Sequence, residues 1–225
     1  MIEHVYRRVQ QVASIRRVVV LTDHEDIRRT VLDFGGEAEM TPEDCASGTD
    51  RIAWAARSWN EAAVINVQGD EPLIDPGSVD RLARHLQRHP DDDLVTLAAP
   101  AAPGEAEDPN AVKVVLDRSG YALYFSRAAI PYDRDGAGDP ASRPVLKHLG
   151  IYGYQRSALL RLAALEPTPL EICEKLEQLR ALENGMRLKV LRVESAAPGV
   201  DTEHDLARVE RLLARSPNEP TGQEE

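Results

Sequence analysis

The sequence predicts an α/β fold: a mostly parallel sheet with helices on both faces, interrupted by one antiparallel insertion. Three observations carry this. Short β-branched and aliphatic runs alternate with stretches of helical spacing from the start of the chain. The runs end in turns rich in Gly, Asp and Thr, the punctuation of strand-to-helix connections. The alternation breaks once, between about residues 112 and 154, where turn residues separate closely spaced strand patterns.

Composition narrows the function classes. The 225 residues carry 27 Lys+Arg against 38 Asp+Glu, a formal net charge of −11. A field of that sign disfavours nucleic acid and anionic membrane surfaces as partners. Hydrophobic residues are 42% of the chain, enough for a full core. No apolar run approaches the ~20 residues of a membrane span, and Met1-Ile2-Glu3-His4-Val5 lacks a signal-peptide layout. Cys45 and Cys173 form no metal-type spacing. Two inert thiols fit a reducing cytoplasm, the expected location.

In chain order, Ile2, Val5, Val9 and Val12 recur at helical spacing, predicting a helix over 2–13. Val18–Leu21 reads as a buried strand. Thr22 or Asp23 then caps a helix through Phe34, closed by Gly35-Gly36. Ser47, with Asp50 three residues on, resembles a capping box for a helix ending near Trp59. A capped N-terminus with Gly48 and the fixed charge of Arg51 is also an anion site; a plain helix cap explains the same residues.

Ala62–Val67 is a β-branched run of the kind buried on both faces, and it stops at Gln68-Gly69-Asp70. In open α/β sheets ligands bind beyond the carboxyl ends of strands, so Asp70 is a candidate hard-oxygen ligand for a phosphate-bound metal. An acidic turn after a strand is the plainer reading of the same residues. Pro76 opens a helix to His89, and Leu94–Ala98 is a further strand. Val112–Leu116, the turn Asp117–Gly120 and Tyr121–Phe125 form a hairpin, with another strand at Leu149–Tyr154. The hairpin region carries Tyr121, Leu123, Phe125 and Ile130, and a homodimer contact through it is expected.

Beyond it, Leu159 and Leu162 mark a helix, and Leu170–Glu183 a longer one. On the latter Glu174, Glu177 and Gln178 share a face; such a charged stripe is ordinarily solvated. Arg187–Val193 is a strand. Gly199-Val200-Asp201-Thr202 leads into a final helix, where Asp201 or Thr202 can serve as N-cap, and residues 215–225 read as a disordered tail.

Eight motifs occur in order: Thr22-Asp23, Ser47–Arg51, Asn66–Pro72, Pro109–Val115, Tyr124–Arg127, His148–Tyr154, Leu176–Arg180 and Gly199–Thr202. Together they closely resemble the 3-deoxy-manno-octulosonate (Kdo) cytidylyltransferase family, the CMP-Kdo synthetases, over residues 1 to about 214. The resemblance implies a Rossmann-like nucleotidyltransferase domain with an inserted dimerisation arm at about 112–154. It implies that CTP and Kdo react to CMP-Kdo and pyrophosphate with Mg²⁺ as cofactor, for lipopolysaccharide assembly. By the same resemblance Asp70 and Asp201 are the metal ligands and catalytic carboxylates. Ser47, Gly48, Arg51 and Gln68 match the nucleotide end. Arg127, His148, Tyr152, Glu177 and Gln178 match the sugar-acid end, which outweighs the solvated-stripe reading for Glu177 and Gln178 but not for Glu174. An 8-amino Kdo analogue or a sialic acid are the alternative substrates, and a non-catalytic remnant is the alternative of another class.

The family opens with a strand and a basic loop of the form IPARxxSxRLPGKPL that grips the triphosphate, and Met1–Val5 corresponds to the helix after it. The expectation is that this chain, without that segment, is inactive and exposes unpaired strand edges, each buried unpaired group costing about 1–3 kcal/mol.

Overall fold

The computed structural model describes residues 1–134, 145–195, 199–200 and 202–215. Strands β1 (Val20–Thr22) and β2 (Ala38–Met40) pair in parallel as a small sheet. The main sheet has six strands: β3 (Ala63–Asn66), β4 (Leu94–Pro100), β5 (Lys113–Leu116), β6 (Ala122–Ser126), β7 (Leu146–Gln155) and β8 (Leu188–Arg192). The helices are α1 (Ile2–Gln10), α2 (Glu25–Asp33), α3 (Gly48–Ala56), α4 (Pro76–Arg88), α5 (Arg156–Ala163), α6 (Pro169–Glu174), α7 (Gln178–Glu183) and α8 (Glu203–Arg215). Among the described residues no helix is long and apolar enough to cross a membrane.

Helices cover both faces of the main sheet, as the alternating pattern predicts. β4 is the clearest case, because six consecutive residues from Leu94 to Ala99 are buried. Val95 and Leu97 pack into a cluster with Val5 and Val9 of α1 and with Val79, Leu82 and Leu86 of α4. Leu94 and Ala98 enter the opposite cluster, with Ala53 of α3, Leu159 and Leu162 of α5 and Leu179 of α7. α4 starts where its sequence says it should: Asp75 caps it by accepting from Gly77 N and Ser78 N, and Pro76 needs no N–H partner at the first turn.

The strand pairing differs from the sequence expectation. β3, β4, β5 and β8 run in one direction, yet β4–β8 is the one parallel neighbour pair in the main sheet. β7 returns antiparallel to β3, β4 and β5 and separates strands that would otherwise be parallel neighbours. The antiparallel arm expected over about 112–154 therefore needs correcting. Its last part, β7, is a central strand, paired along one edge with β4 and along the other first with β5 and then with β3. A central strand and a hairpin strand share the same aliphatic and aromatic pattern, so periodicity alone does not separate them.

The hairpin β5–β6 is built inward as well as outward. Phe125 is fully buried, and the Tyr121 hydroxyl donates to Asp92 at 2.7 Å. Asp92 is itself buried and 2.7 Å from His85 Nε2. Leu123 stays 61% exposed. Most of the Asp133–Pro144 loop, Asp201 and the tail beyond residue 215 lie outside the described residues.

Two local expectations change for identifiable reasons. α2 is capped by His24, whose Nδ1 accepts from Asp26 N, while Asp23 is taken by Arg51. The single helix expected over Leu170–Glu183 is two short helices, α6 and α7. Lys175 between them sits at φ 55°, in the left-handed region that ends a helix. A buried ion pair draws the two helices together: Arg180 Nε donates to Glu171 Oε2 at 2.8 Å, and both side chains are over nine-tenths buried as residues.

β7 passes close to its neighbours at Gly153, which faces Ile65 on β3 and Val95 on β4. A Cβ there would lie 2.8 Å from Leu86 Cδ1 and from Val95 Cγ1. Gly153→Ala therefore overpacks the centre of the sheet and should destabilise the protein by about 1–3 kcal/mol. The expected readout is a lower urea midpoint with an unchanged slope.

Candidate active site

The candidate site lies at the carboxyl ends of β3 and β4 and gathers residues from four parts of the chain. β3 ends at Asn66, and Gln68, Gly69 and Asp70 form the turn beyond it. Asp70 is exposed, and its carboxylate makes no hydrogen bond or ion pair with another described residue. Its backbone oxygen accepts from Val200 N at 2.9 Å, which brings the Gly199-Val200 segment beside it. The two candidate carboxylates thus belong to chain segments that meet, although Asp201 itself lies outside the described residues.

Asp70, Gln68 and His148 line one cleft of about 240 Å³, with Lys147, Gly150 and Val200. Lys147 is already paired there, 2.6 Å from Glu105. Gln68 also lines a larger cavity of about 760 Å³, with Gly48 and Arg51. This cavity lies between the two sheets, walled by Val18–Leu21, by Ala62–Val67 and by α1. Among the described residues β1 pairs with β2 alone and β3 with β7 alone. Gly48 and Gln68 are neighbours here, since a Cβ at Gly48 would lie at ordinary contact distance, 3.9 Å, from Gln68 Nε2.

The start of α3 is more than a cap. Ser47 Oγ accepts from Asp50 N at 3.1 Å, the expected capping bond. The same hydroxyl donates to Glu177 Oε1 at 2.7 Å, and the Thr49 hydroxyl donates to Glu177 Oε2 at 2.5 Å. Two candidate residues that the sequence reading placed at opposite ends of the site, 130 positions apart, are thereby in direct contact. Arg51 is spoken for: it donates to Asp23 Oδ2 at 2.6 Å and to the Thr41 hydroxyl. This bond, ahead of any other cause, holds the Asp23 carboxyl below its ordinary range.

The break at Lys175 assigns the acids of α6 and α7 to different tasks. Glu177 turns to α3. Glu174 turns to β6, accepting from Ser126 Oγ at 2.6 Å and from Arg127 N at 2.9 Å. The solvated-stripe reading of Glu174 is therefore incorrect, because its half-buried position beside β6 gives it three donors, Tyr124 included. Arg127 uses its guanidinium on backbone oxygens, those of Glu174 at 2.8 Å and Pro109 at 3.0 Å, and borders neither cavity. Gln178 is buried at the start of α7.

His148 and Tyr152 share β7, their ring centroids 5.2 Å apart. Phe125 meets His148 edge-on at 5.0 Å, and Tyr154 stacks on Tyr152 at 5.9 Å. His148 reaches the cleft with part of its surface, but this aromatic wall removes water from the ring and pushes its pKa down to about 3. The same burial pushes the Tyr152 phenol well up. Sequence reasoning missed Thr49, Glu174 and Asp23 as site neighbours. Thr49 and Asp23 stand inside motifs singled out from sequence, whereas Glu174 needed the helix break to be seen.

The donor set suits a phosphate-bound divalent cation. Among the described residues no group of three or more His, Cys, Asp or Glu side chains forms a cage. Asp70, a carboxylate beyond a strand end with no partner among the described residues, is the kind of hard oxygen donor that a phosphate-bound divalent cation takes.

Comparison with known proteins places these features in context. Residues 1–188 match the family described as cytidylyltransferase. A 3-deoxy-manno-octulosonate cytidylyltransferase from Syntrophotalea carbinolica is 48% identical over 219 residues, covering 95% of this chain and 88% of the relative. The protein of that name from Myxococcus xanthus is 47% identical over 214 residues, covering 95% and 85%. A solved structure of CMP:2-keto-3-deoxy-manno-octonic acid synthetase complexed with CTP superposes with a TM-score of 0.90 at 39% identity. That match covers 95% of this chain and 87% of the other.

The neutral His148 carries a pH signature. Its folded pKa lies near 3, below the ordinary 6.5, so its contribution is complete above about pH 6.5 and is lost as pH falls toward 3. Across that window the unfolded chain holds one more proton at this residue, a slope of about 1.4 kcal/mol per pH unit. Urea unfolding of His148→Gln between pH 7 and pH 4 should show a shallower acid loss than the parent by that slope. Equal slopes would place His148 in water.

Proposed function

The chain belongs to the cytidylyltransferase family, and from that premise we propose that it joins CTP to Kdo, giving CMP-Kdo and pyrophosphate for lipopolysaccharide assembly. The observation that carries this reading is the contact of Ser47 and Thr49 with both oxygens of Glu177. On this reading the contact holds a nucleotide-binding residue and a sugar-binding residue at a fixed separation, and transfer between two bound substrates depends on positioning. The anomeric hydroxyl oxygen of Kdo bonds to the α-phosphorus of CTP. The bond from that phosphorus to the α,β-bridging oxygen breaks, pyrophosphate leaves with that oxygen, and the hydroxyl proton passes to solvent.

The residues divide as follows. The N-terminus of α3, with Ser47 and Gly48, offers N–H groups and dipole to the nucleotide phosphates, and Gln68 borders the same cavity. Arg51 is held in place by Asp23 and Thr41. Glu177 and Gln178 meet sugar hydroxyls, with His148 and Tyr152 from β7 on the other side. Arg127 serves the sugar-acid end, fixed by the carbonyls of Glu174 and Pro109. Asp70 and Asp201 would hold Mg²⁺. When bound, the metal neutralises phosphate charge and acidifies the attacking hydroxyl.

We assign the enzyme to the cytoplasm, as a homodimer. Support for contact between copies comes from Leu123, 61% exposed on strand β6 at the end of the sheet order, and Tyr132, 85% exposed just beyond it. Sedimentation at micromolar concentration should give twice the chain mass, and Leu123→Glu should lower it; a monomeric parent protein refutes the assignment.

The activity test is CTP-dependent pyrophosphate release with Kdo, an 8-amino Kdo analogue and a sialic acid side by side. Kdo should give the largest kcat/KM. Asp70→Asn should cut turnover at least about 100-fold, the scale of losing a main transition-state charge contact. It should leave the urea midpoint unchanged, since the carboxylate has no protein partner among the described residues. Near-parental turnover of Asp70→Asn at saturating Mg²⁺ sinks the metal-ligand role.

A further inference from the structure

β4 and β7 lose register at one point. Thr96 faces Tyr152, while the next residue, Leu97, faces Leu149, so Gly150 and Ile151 have no partner across the ladder. Thr96 is fully buried, and its hydroxyl fills this irregularity. It lies 2.8 Å from Ile151 O, 3.1 Å from Leu149 O and 3.0 Å from Nε2 of His148. A hydroxyl has one proton to give, and a carbonyl oxygen can only accept. The proton therefore goes to the carbonyls, nearest to Ile151 O, and the hydroxyl oxygen presents a lone pair to His148. Nε2 must then carry the imidazole hydrogen. Nδ1 has no hydrogen-bond partner among the described residues, and His148 lines the cleft that also holds Gln68 and Asp70.

We propose that Thr96 is a positioning residue of the sugar-acid site: it fixes His148 as the Nε2–H tautomer and leaves Nδ1 as an uncharged acceptor for a substrate hydroxyl. The inference rests on the reading of this cleft as the sugar-acid end. Its consequence is a choice of substrate edge. A neutral acceptor nitrogen pairs with an O–H donor and offers nothing to a carboxylate, so the hydroxyl-bearing edge of the sugar acid faces β7. The low pKa of the walled-in ring agrees with this, because protonation at Nδ1 would convert the acceptor into a donor. The lost register is what makes room for the device, since it brings two carbonyls and one ring nitrogen around one hydroxyl.

The test uses the full chain with ¹⁵N-labelled histidine. The His148 ring signals are those absent from the spectrum of His148→Gln. At pH 7 they should show one protonated nitrogen at Nε2 and one bare nitrogen at Nδ1. Thr96→Val should mix the tautomers and raise KM for Kdo about tenfold, the scale of one lost hydrogen bond, with kcat within about twofold. Thr96→Ser, which keeps the hydroxyl, should retain the parental tautomer and KM. A parental spectrum with Nδ1–H or a doubly protonated ring overturns the inference. So does Thr96→Val with parental tautomer and KM. If Thr96→Val fails to fold, the parental and Thr96→Ser spectra still decide. The tautomer is read without turnover, so failure of Kdo and CTP to react is seen separately from failure of the Thr96 assignment.

Discussion

The structure depends on β7. Ten residues long, it hydrogen-bonds β4 along one edge and divides the other edge between β5 and β3. Every strand of the main sheet is thus attached to β7 directly or through one intermediary. Gly153 lets β7 sit tightly beside Leu86 and Val95, and His148, on the same strand, lines the cleft beside Asp70. Packing and chemistry share one element, so the sheet cannot adjust its centre without moving the site.

The acidic excess is managed locally. The buried acids have partners: Glu171 has Arg180, and Asp92 has His85 and Tyr121. Glu174 takes three donors from β6 and the residue after it. Such pairing is required of a charge taken out of water, and removal of one partner costs far more than the pair contributes. Asp70 is the contrast, a carboxylate at a strand end without a protein partner among the described residues.

The site is held by hydroxyls as much as by charges. Ser47 and Thr49 orient Glu177, and Thr41 steadies Arg51. Ser126 and Tyr124 hold Glu174, which in turn holds the Arg127 backbone. The Ser47, Thr49, Ser126 and Tyr124 hydroxyls donate to carboxylates and that of Thr41 accepts from Arg51, so these contacts fix geometry at little cost in charge burial. Arg127 is itself a contact hub: its guanidinium reaches two carbonyls from segments far apart in sequence.

Sequence alone determined what depends on near neighbours. The alternation of strands and helices, the Ser47 cap, the helix opened by Pro76, the hairpin turn and the Gly-Asp stop after β3 follow from period, cap chemistry and turn residues within a few positions. The ordered motifs named the family for the same reason, because each is a short local pattern. Tertiary structure decided what depends on remote partners. Leu149–Tyr154 became a central strand because β3 and β4 had edges for it, which its pattern cannot announce. The face shared by Glu174 and Glu177 on paper vanished because Lys175 took a left-handed turn, stabilised around the Glu171–Arg180 pair. Arg51, read as a charge for phosphate, is held by Asp23, a contact that no local pattern announces. The direction of a side chain is set by what packs against it, and those contacts join residues that the sequence keeps more than a hundred positions apart.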